Sequence, residues 1–399
     1  MMALAWTAAL SLAAWLFLCL ARGFYWRTHL SMNTAKEAAN AGHSLREWPT
    51  VWAVVPARNE ADVLPRTLPA LLSQAYAGEF HVILVDDHST DGTAEVAARI
   101  AAELGLADRL RVVRADALPP GWAGKVWAMQ NGLRCVPEDA THVLLTDADI
   151  SHPPTSVQAL VARAERDGLD LVSLMVRLRA ESGWEKLLIP AFVYFFSKLY
   201  PFAWVSHPRR RTAAAAGGCV LVRRRLLPTP PGLEAIRDAV IDDCSLARLV
   251  AHRGGRLWLG LGDDVVSVRA YGKLGEIWRM IARTAFVQLR FSAWLLVGTA
   301  LGMLLLYAVP PIATIAGLVG LGLGSPGSLA ALCLGGAAYA ILAATFVPML
   351  RWYHLSPARS ALLPLAGFLY TLMTLDSARR FWLRTGDHWK GRPYEMRRP

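Results

Sequence analysis

The sequence predicts an α/β domain, a mostly parallel sheet with helices on both faces, set between an N-terminal transmembrane helix and a C-terminal helical membrane region. Three observations predict this. Between about residues 50 and 270, short apolar runs alternate with helical segments, the pattern of parallel strands joined by covering helices. Residues 3–21 carry no charge and neither do residues 291–350, and both runs are long enough to cross a hydrocarbon core. Hydrophobic side chains make up 54% of the 399 residues and charged ones only 18%, which excludes a disordered chain and argues against an ordinary soluble enzyme. The 42 Lys and Arg against 31 Asp and Glu leave a net charge of +11. That charge lies next to apolar segments rather than in an aromatic-studded soluble patch, so it suits membrane phosphates and a diphosphate ligand better than nucleic acid.

In chain order, residues 1–23 read as an uncleaved anchor. Nothing basic precedes the apolar run, and Arg22 and Arg27 follow it, which places what comes next in the cytoplasm. Residues 24–49 read as a juxtamembrane connector. In the cytoplasmic domain, 50–270, the expected strands are 51–55, 80–85, 110–114, 142–146 and 169–176, and the expected helices are 64–74, 93–104, 125–135 and 156–167. Residues 184–206 are rich in aromatics, with two prolines and Lys198. That composition suits the headgroup level of a bilayer; a buried core helix is the other reading. Residues 271–290 form a basic amphipathic helix, because Arg279, Arg283 and Arg290 are spaced four and seven apart and share a face that Ile277, Ile281 and Val287 avoid. The membrane region, 291–376, is punctuated by Pro310-Pro311 and Ser325-Pro326-Gly327. Its basic tail, 377–399, belongs in the cytoplasm, so the region should cross an even number of times, two or four.

Ligands bind at the carboxyl ends of parallel strands, and three of the expected strands end in informative residues. The first runs into Pro56-Ala57-Arg58-Asn59-Glu60, the second into Asp86-Asp87-His88-Ser89-Thr90-Asp91-Gly92, and the fourth into Asp147-Ala148-Asp149. All converge on one edge, where clustered carboxylates are costly unless a cation or donor-rich ligand compensates them. Asp-x-Asp leaves room for Mg²⁺ or Mn²⁺ with positions open to phosphate oxygens. Gly121-Trp122-Ala123-Gly124-Lys125 then opens a helix, offering free N–H groups and an ammonium to an anion. Asp86 suits a turn and Asp91 a helix cap. The five cysteines are scattered and odd in number, with no CxxC, so they form neither a disulfide framework nor a zinc site. His81, His88, His142 and His152 show no metal-ligand spacing.

This ordered set, with the later runs Gly217-Gly218 and Ile241-Asp242-Asp243-Cys244-Ser245 and the tail Trp389-Lys390-Gly391-Arg392-Pro393-Tyr394, resembles the inverting family 2 glycosyltransferases of GT-A fold, the nucleotide-diphospho-sugar transferase fold. It is most similar to the membrane-bound, lipid-glycosylating members, in particular those associated with hopanoid biosynthesis. The resemblance implies a nucleotide-diphosphate sugar donor and a lipid acceptor at a bacterial-type inner membrane. It implies that Pro56, Glu60 and Asp87 bound the nucleotide, that Lys125 meets the nucleotide or diphosphate, and that Asp147 and Asp149 hold the nucleotide sugar with Mg²⁺ or Mn²⁺. Asp243 would be the base that deprotonates the acceptor; an acidic helix N-terminus is its bland alternative. Asp87, Asp149 and Asp243 are then expected to line one cavity. Processive synthases of the family carry Gln-x-x-Arg-Trp, where this chain reads Arg279-Met280-Ile281-Ala282-Arg283-Thr284. Arg283 keeps the arginine on the donor side, but Thr284 replaces Trp, which favours transfer of a single sugar over polymerisation. A silent nucleotide-sugar-binding scaffold is the non-enzymatic alternative.

Overall fold

Val51, Ala53, Val54 and Val55 are at most 2% exposed, as a strand buried on both faces requires. The computed structural model describes residues 1–41, 45, 47–227, 232–383, 388–389 and 392–393. Most of the basic tail, including Lys390, Gly391 and Tyr394 of the tail motif, lies outside the described residues. The chain divides into a helical unit, Met1–His29, Ala180–Ala203 and Tyr271–Thr385, and a sheet unit, Leu30–Arg179, Trp204–Ala270 and Gly386–Pro399.

The sheet unit has nine strands in one sheet: β1 (Ser31–Met32), β2 (Val51–Ala57), β3 (Phe80–Asp86), β4 (Leu110–Arg114), β5 (His142–Thr146), β6 (Ile150–Ser151), β7 (Leu171–Arg177), β8 (Cys219–Arg223) and β9 (Leu257–Ser267). Their order is β1-β9-β7-β8-β5-β2-β3-β4, with β6 paired to β9. Pairs β2–β3, β2–β5, β3–β4, β7–β9 and β1–β9 are parallel. β8 is antiparallel to both β5 and β7, and β6 to β9. Two reversals through β8 return β7 and β9 to the direction of β5. The carboxyl ends of β2, β3, β5 and β9 therefore meet at one edge, as does the start of β8.

The covering helices are α1 (Thr34–Ala41), α2 (Leu64–Leu72), α3 (Thr93–Glu103), α4 (Gly124–Arg134), α5 (Ser156–Arg166) and α6 (Asp242–His252). Val51, Ala53 and Val55 share a core with Leu64, Leu68 and Leu72 of α2, Ile100 of α3 and Leu160 of α5. Each fully buried Val or Leu contributes about 1.5–3 kcal/mol. Strand residues alternate faces, so Val54 points the other way, and there α4 approaches closely. A Cβ on Gly132 would lie 2.4 Å from Val54 Cγ1, closer than two carbons can pack. Helices thus cover both faces.

Residues 24–49, expected as a connector, instead contribute β1 and α1 to this unit. Ser31 Oγ donates to Asp263 at 3.0 Å, and the Thr34 N–H and hydroxyl donate to Asp264 at 3.0 and 2.8 Å. The acceptors lie more than 200 residues away, and no local pattern announces them. Asp86 makes the expected turn contact, accepting the Ser89 N–H at 3.1 Å. Asp91 is not the N-cap of α3; Gly92, at φ 82°, occupies that position. From one residue earlier Asp91 accepts the Thr93 N–H and the Ala61 N–H, joining two of the rim loops.

Among the described residues, five helices are long and apolar enough to cross a membrane by length and composition: Met2–Ala21, Gly183–Val205, Ala293–Gly322, Ser328–Trp352 and Pro357–Trp382. Pro310-Pro311 does not interrupt the third. It follows a π turn, Leu304–Ala308, and opens the helix Val309–Gly322, a position where proline's missing N–H costs little. Three such helices follow residue 291, so an even number of crossings holds only if one of the three does not cross. The helix Gly183–Leu199 begins with a Ser182/Glu185 capping box and continues through Pro190. Leu188, Ile189, Val193 and Tyr194 are fully buried, and the Tyr194 hydroxyl lies 2.9 Å from that of Tyr25 and 2.8 Å from Thr345 Oγ1. One face of it packs into the core of its unit, while Trp184 and Leu199 are exposed.

Candidate active site

Two carboxylate groups form at the sheet edge, each gathered around a cation. In the first, Lys125 enters α4 one residue after its start, and its Nζ lies 2.7 Å from Asp147 Oδ1 and 3.2 Å from Asp242 Oδ2. Asp243 is next to Asp242 on the first turn of α6. Its Oδ2 accepts the Gly217 N–H at 2.8 Å and its Oδ1 accepts the Cys244 N–H at 2.7 Å. Burial, then the neighbouring Asp242 charge, pushes Asp243 up to about 6, although Lys125 and the two N–H groups pull the other way. Burial also raises Asp147, against the pull of Lys125, and repulsion from Asp149 adds to the rise. Lys125 stays firmly charged because Asp147 and Asp242 outweigh the cost of its own burial. An acid near 6 is poised to act as a base at neutral pH.

The second group is built on Arg269, just beyond β9. Its Nη2 donates to both oxygens of Glu60 at 2.8 and 2.9 Å, and its Nε donates to Asp149 Oδ2 at 3.0 Å. Ser267 Oγ adds a bond to the same Asp149 oxygen at 2.8 Å. Glu60 and Asp149 are 6% and 8% exposed, so this guanidinium is what makes their burial tolerable. Asp87 is fully buried at the end of β3; its Oδ2 lies 3.7 Å from Arg58 Nη1. Pro56 continues the β2–β3 pairing after the ladder to β5 has ended at Val54.

The structure thus brings Pro56, Glu60, Asp87, Lys125, Asp147, Asp149 and Asp243 to one rim of the sheet unit. Arg283 belongs to the helical unit, on the helix Leu274–Gln288. The small cavity beside Asp243 is lined by Met129, Gly217, Leu233, Ile236 and Asp242 among others, and Asp87 and Asp149 do not line that one. Arg58 and Arg269 hold those two side chains elsewhere along the rim. His142 and His152 are buried, and burial lowers them to about 3 and about 4, so both are neutral structural groups.

Three partners escaped the sequence: Arg269, Ser267 and the pairing of Asp242 with Lys125. The rule that ligands meet carboxyl strand ends would have found the first two had 257–267 been read as a strand. Among the described residues, no three His, Cys, Asp or Glu side chains form a ready metal cluster. Asp147 and Asp149 nonetheless fit a divalent cation. They are two residues apart on one turn and repel each other, a cost that a cation between them would remove.

The comparisons with known proteins bear on this rim. Residues 52–228 match the family described as glycosyl transferase family 2. This stretch is similar to a glycosyl transferase family 2 domain. It contains Glu60, Asp87, Lys125, Asp147 and Asp149, while Asp243 and Arg269 lie beyond it. An undecaprenyl-phosphate 4-deoxy-4-formamido-L-arabinose transferase from Pseudomonas savastanoi pv. phaseolicola is 32% identical over 139 residues, 33% of this chain and 37% of that protein. The chain thus spans little more than a third of the length of this curated relative. A mannosyltransferase from Pyrobaculum calidifontis, solved with GDP-Man and Mn²⁺, superposes with a TM-score of 0.51 at 21% identity, over 93% of this chain and 99% of that one. The sheet unit has the GT-A fold.

Proposed function

We propose that the protein is a membrane-bound inverting glycosyltransferase that moves one sugar from a nucleotide-diphosphate sugar to a hydroxyl of a lipid acceptor. Asp243 carries this reading. A hydroxyl is a poor nucleophile, and a buried carboxylate raised to about 6 and held by the Gly217 and Cys244 N–H groups is a positioned base for it. One in-line displacement inverts the anomeric centre, so no second carboxylate nucleophile is needed. Lys125 would meet the negative charge that develops on a departing diphosphate. Asp147 and Asp149 would hold a Mg²⁺ or Mn²⁺ ion, whose chemistry would be to neutralise that same charge; the Mn²⁺ in the mannosyltransferase structure supports a divalent metal.

The five apolar helices support a multi-pass membrane protein, and Arg22 and Arg27 after the first favour a cytoplasmic sheet unit at an inner membrane. The acceptor implied by the sequence motifs is a hopanoid-related lipid. A polyprenyl phosphate is the second reading, favoured by the curated relative's name. A phosphate oxygen is already a nucleophile and needs no base, so the two readings separate at Asp243.

The test is release of nucleoside diphosphate from a nucleotide sugar by the purified full-length protein, with Mn²⁺ or Mg²⁺ and either a hydroxylated lipid or a polyprenyl phosphate. The hydroxyl reading expects Asp243→Asn to abolish transfer and leave donor binding nearly intact. Full turnover by that variant with the phosphate acceptor, and none with the hydroxyl, would establish the second reading instead.

A further inference from the structure

We propose that Gln130 is a positioning residue for this reaction, fixing residues 232–237 as the wall that faces Asp243; this rests on the transferase reading above. Gln130 lies on α4, the helix that carries Lys125, and is 7% exposed. Its Oε1 accepts the Leu233 N–H at 2.7 Å. Gly232 makes this bond possible. It has φ +59°, and a Cβ there would lie 2.3 Å from Gln130 Oε1 and 2.7 Å from Nε2, so the amide occupies the space that any other side chain would fill.

Four residues further on, the Arg237 carbonyl accepts the Ala123 N–H at 2.6 Å. Both ends of the segment are therefore tied to one element, α4 and the loop that leads into Lys125. Between the ties, Leu233 is fully buried and Ile236 is 8% exposed. Both line the cavity that Asp242, Asp243 and Gly217 also line. An apolar wall held against a carboxylate keeps water away from it, and the anchoring amide sets how closely that wall approaches. The same helix thus carries the Lys125 ammonium and anchors the apolar wall beside Asp243. Gln130 touches neither donor nor base, so it acts only through residues 232–237.

The test uses the full-length protein in detergent with nucleotide sugar and a hydroxylated lipid. Gln130→Leu keeps the volume but removes the acceptor oxygen, whereas Gln130→Glu keeps an oxygen there. Gln130→Leu should lower kcat about tenfold, as a small misplacement near the reacting atoms does, with nucleoside diphosphate affinity unchanged, and Gln130→Glu should recover most of the turnover. Gly232→Ala, which displaces the same amide, should reproduce the loss, and the double variant should cost no more than the larger single change. Amide exchange over residues 232–237 should quicken in Gln130→Leu whether or not transfer is observed. Wild-type kcat in Gln130→Leu, a parallel fall in donor affinity, additive losses or unchanged exchange would each overturn the proposal. A wild-type protein without transfer, whose Gln130→Leu variant still shows faster exchange, would overturn the transferase reading and leave the anchor standing.

Discussion

The two ends of β5 handle charge in opposite ways. At its start, His142 lies 3.4 Å from Glu165, whose other oxygen meets Arg223 at 3.1 Å. Asp170 accepts Arg225 at 2.5 Å and the Arg256 N–H at 2.9 Å, with Arg223 3.7 Å away. Two acids there face two guanidinium groups. At its finish, among the described residues, one ammonium serves Asp147 and Asp242, with Asp243 adjacent. Balanced charge at the start holds chain segments together, and burial keeps His142 neutral. Burial, with excess carboxylate beside it, raises Asp243 and Asp147 at the finish. A fold has no use for such strain unless a cation-bearing or proton-donating ligand relieves it.

The sharpest way to break this contrast is Asp243→Asn. Loss of a general base should lower kcat by about 10²–10⁴-fold in a folded protein, measured by nucleoside diphosphate release, and wild-type turnover would remove the functional meaning of the acid-rich end. Next in size is the pH profile. The wild-type rate should fall about tenfold per unit below pH 6 as Asp243 takes up a proton, and this limb should vanish in the variant. The linkage has a definite sign: a folded pKa raised above the ordinary carboxylate value gives stability that is present below that ordinary value and lost as pH rises through about 6.

Smaller again, Arg269→Ala removes the guanidinium from buried Glu60 and Asp149 and should cost about 3 kcal/mol in thermal or denaturant unfolding, together with weaker nucleoside diphosphate binding. An unchanged melting temperature would deny Arg269 its bridging role. The smallest effect belongs to the balanced end. Arg225 is 70% exposed, so Arg225→Ala should shift stability by less than about 1 kcal/mol and leave kcat unchanged. A large kcat loss there would erase the difference between the two ends.

Much of the sheet was legible residue by residue. β4 and β5 begin and end where the apolar runs do, and β2, β3 and β7 differ by one or two residues. The strand-end carboxylates were legible too, because parallel strands must deliver their carboxyl ends to one edge. Less legible were the contacts between distant segments. The roles of β1, α1 and β9 depend on pairing across more than 200 residues, and the Pro310-Pro311 run looked like a break because the π turn before it has no sequence signature.

Local periodicity and the chemistry of loop residues were enough to determine an α/β sheet, its acidic rim and the apolar segments around it, since each depends on neighbours along the chain. Only the tertiary structure decided which cation serves which carboxylate, that Arg269 joins Glu60 to Asp149, and that Gln130 holds the wall beside Asp243. Those pairings come from the order in which strands meet, a long-range property that spacing along the chain does not encode.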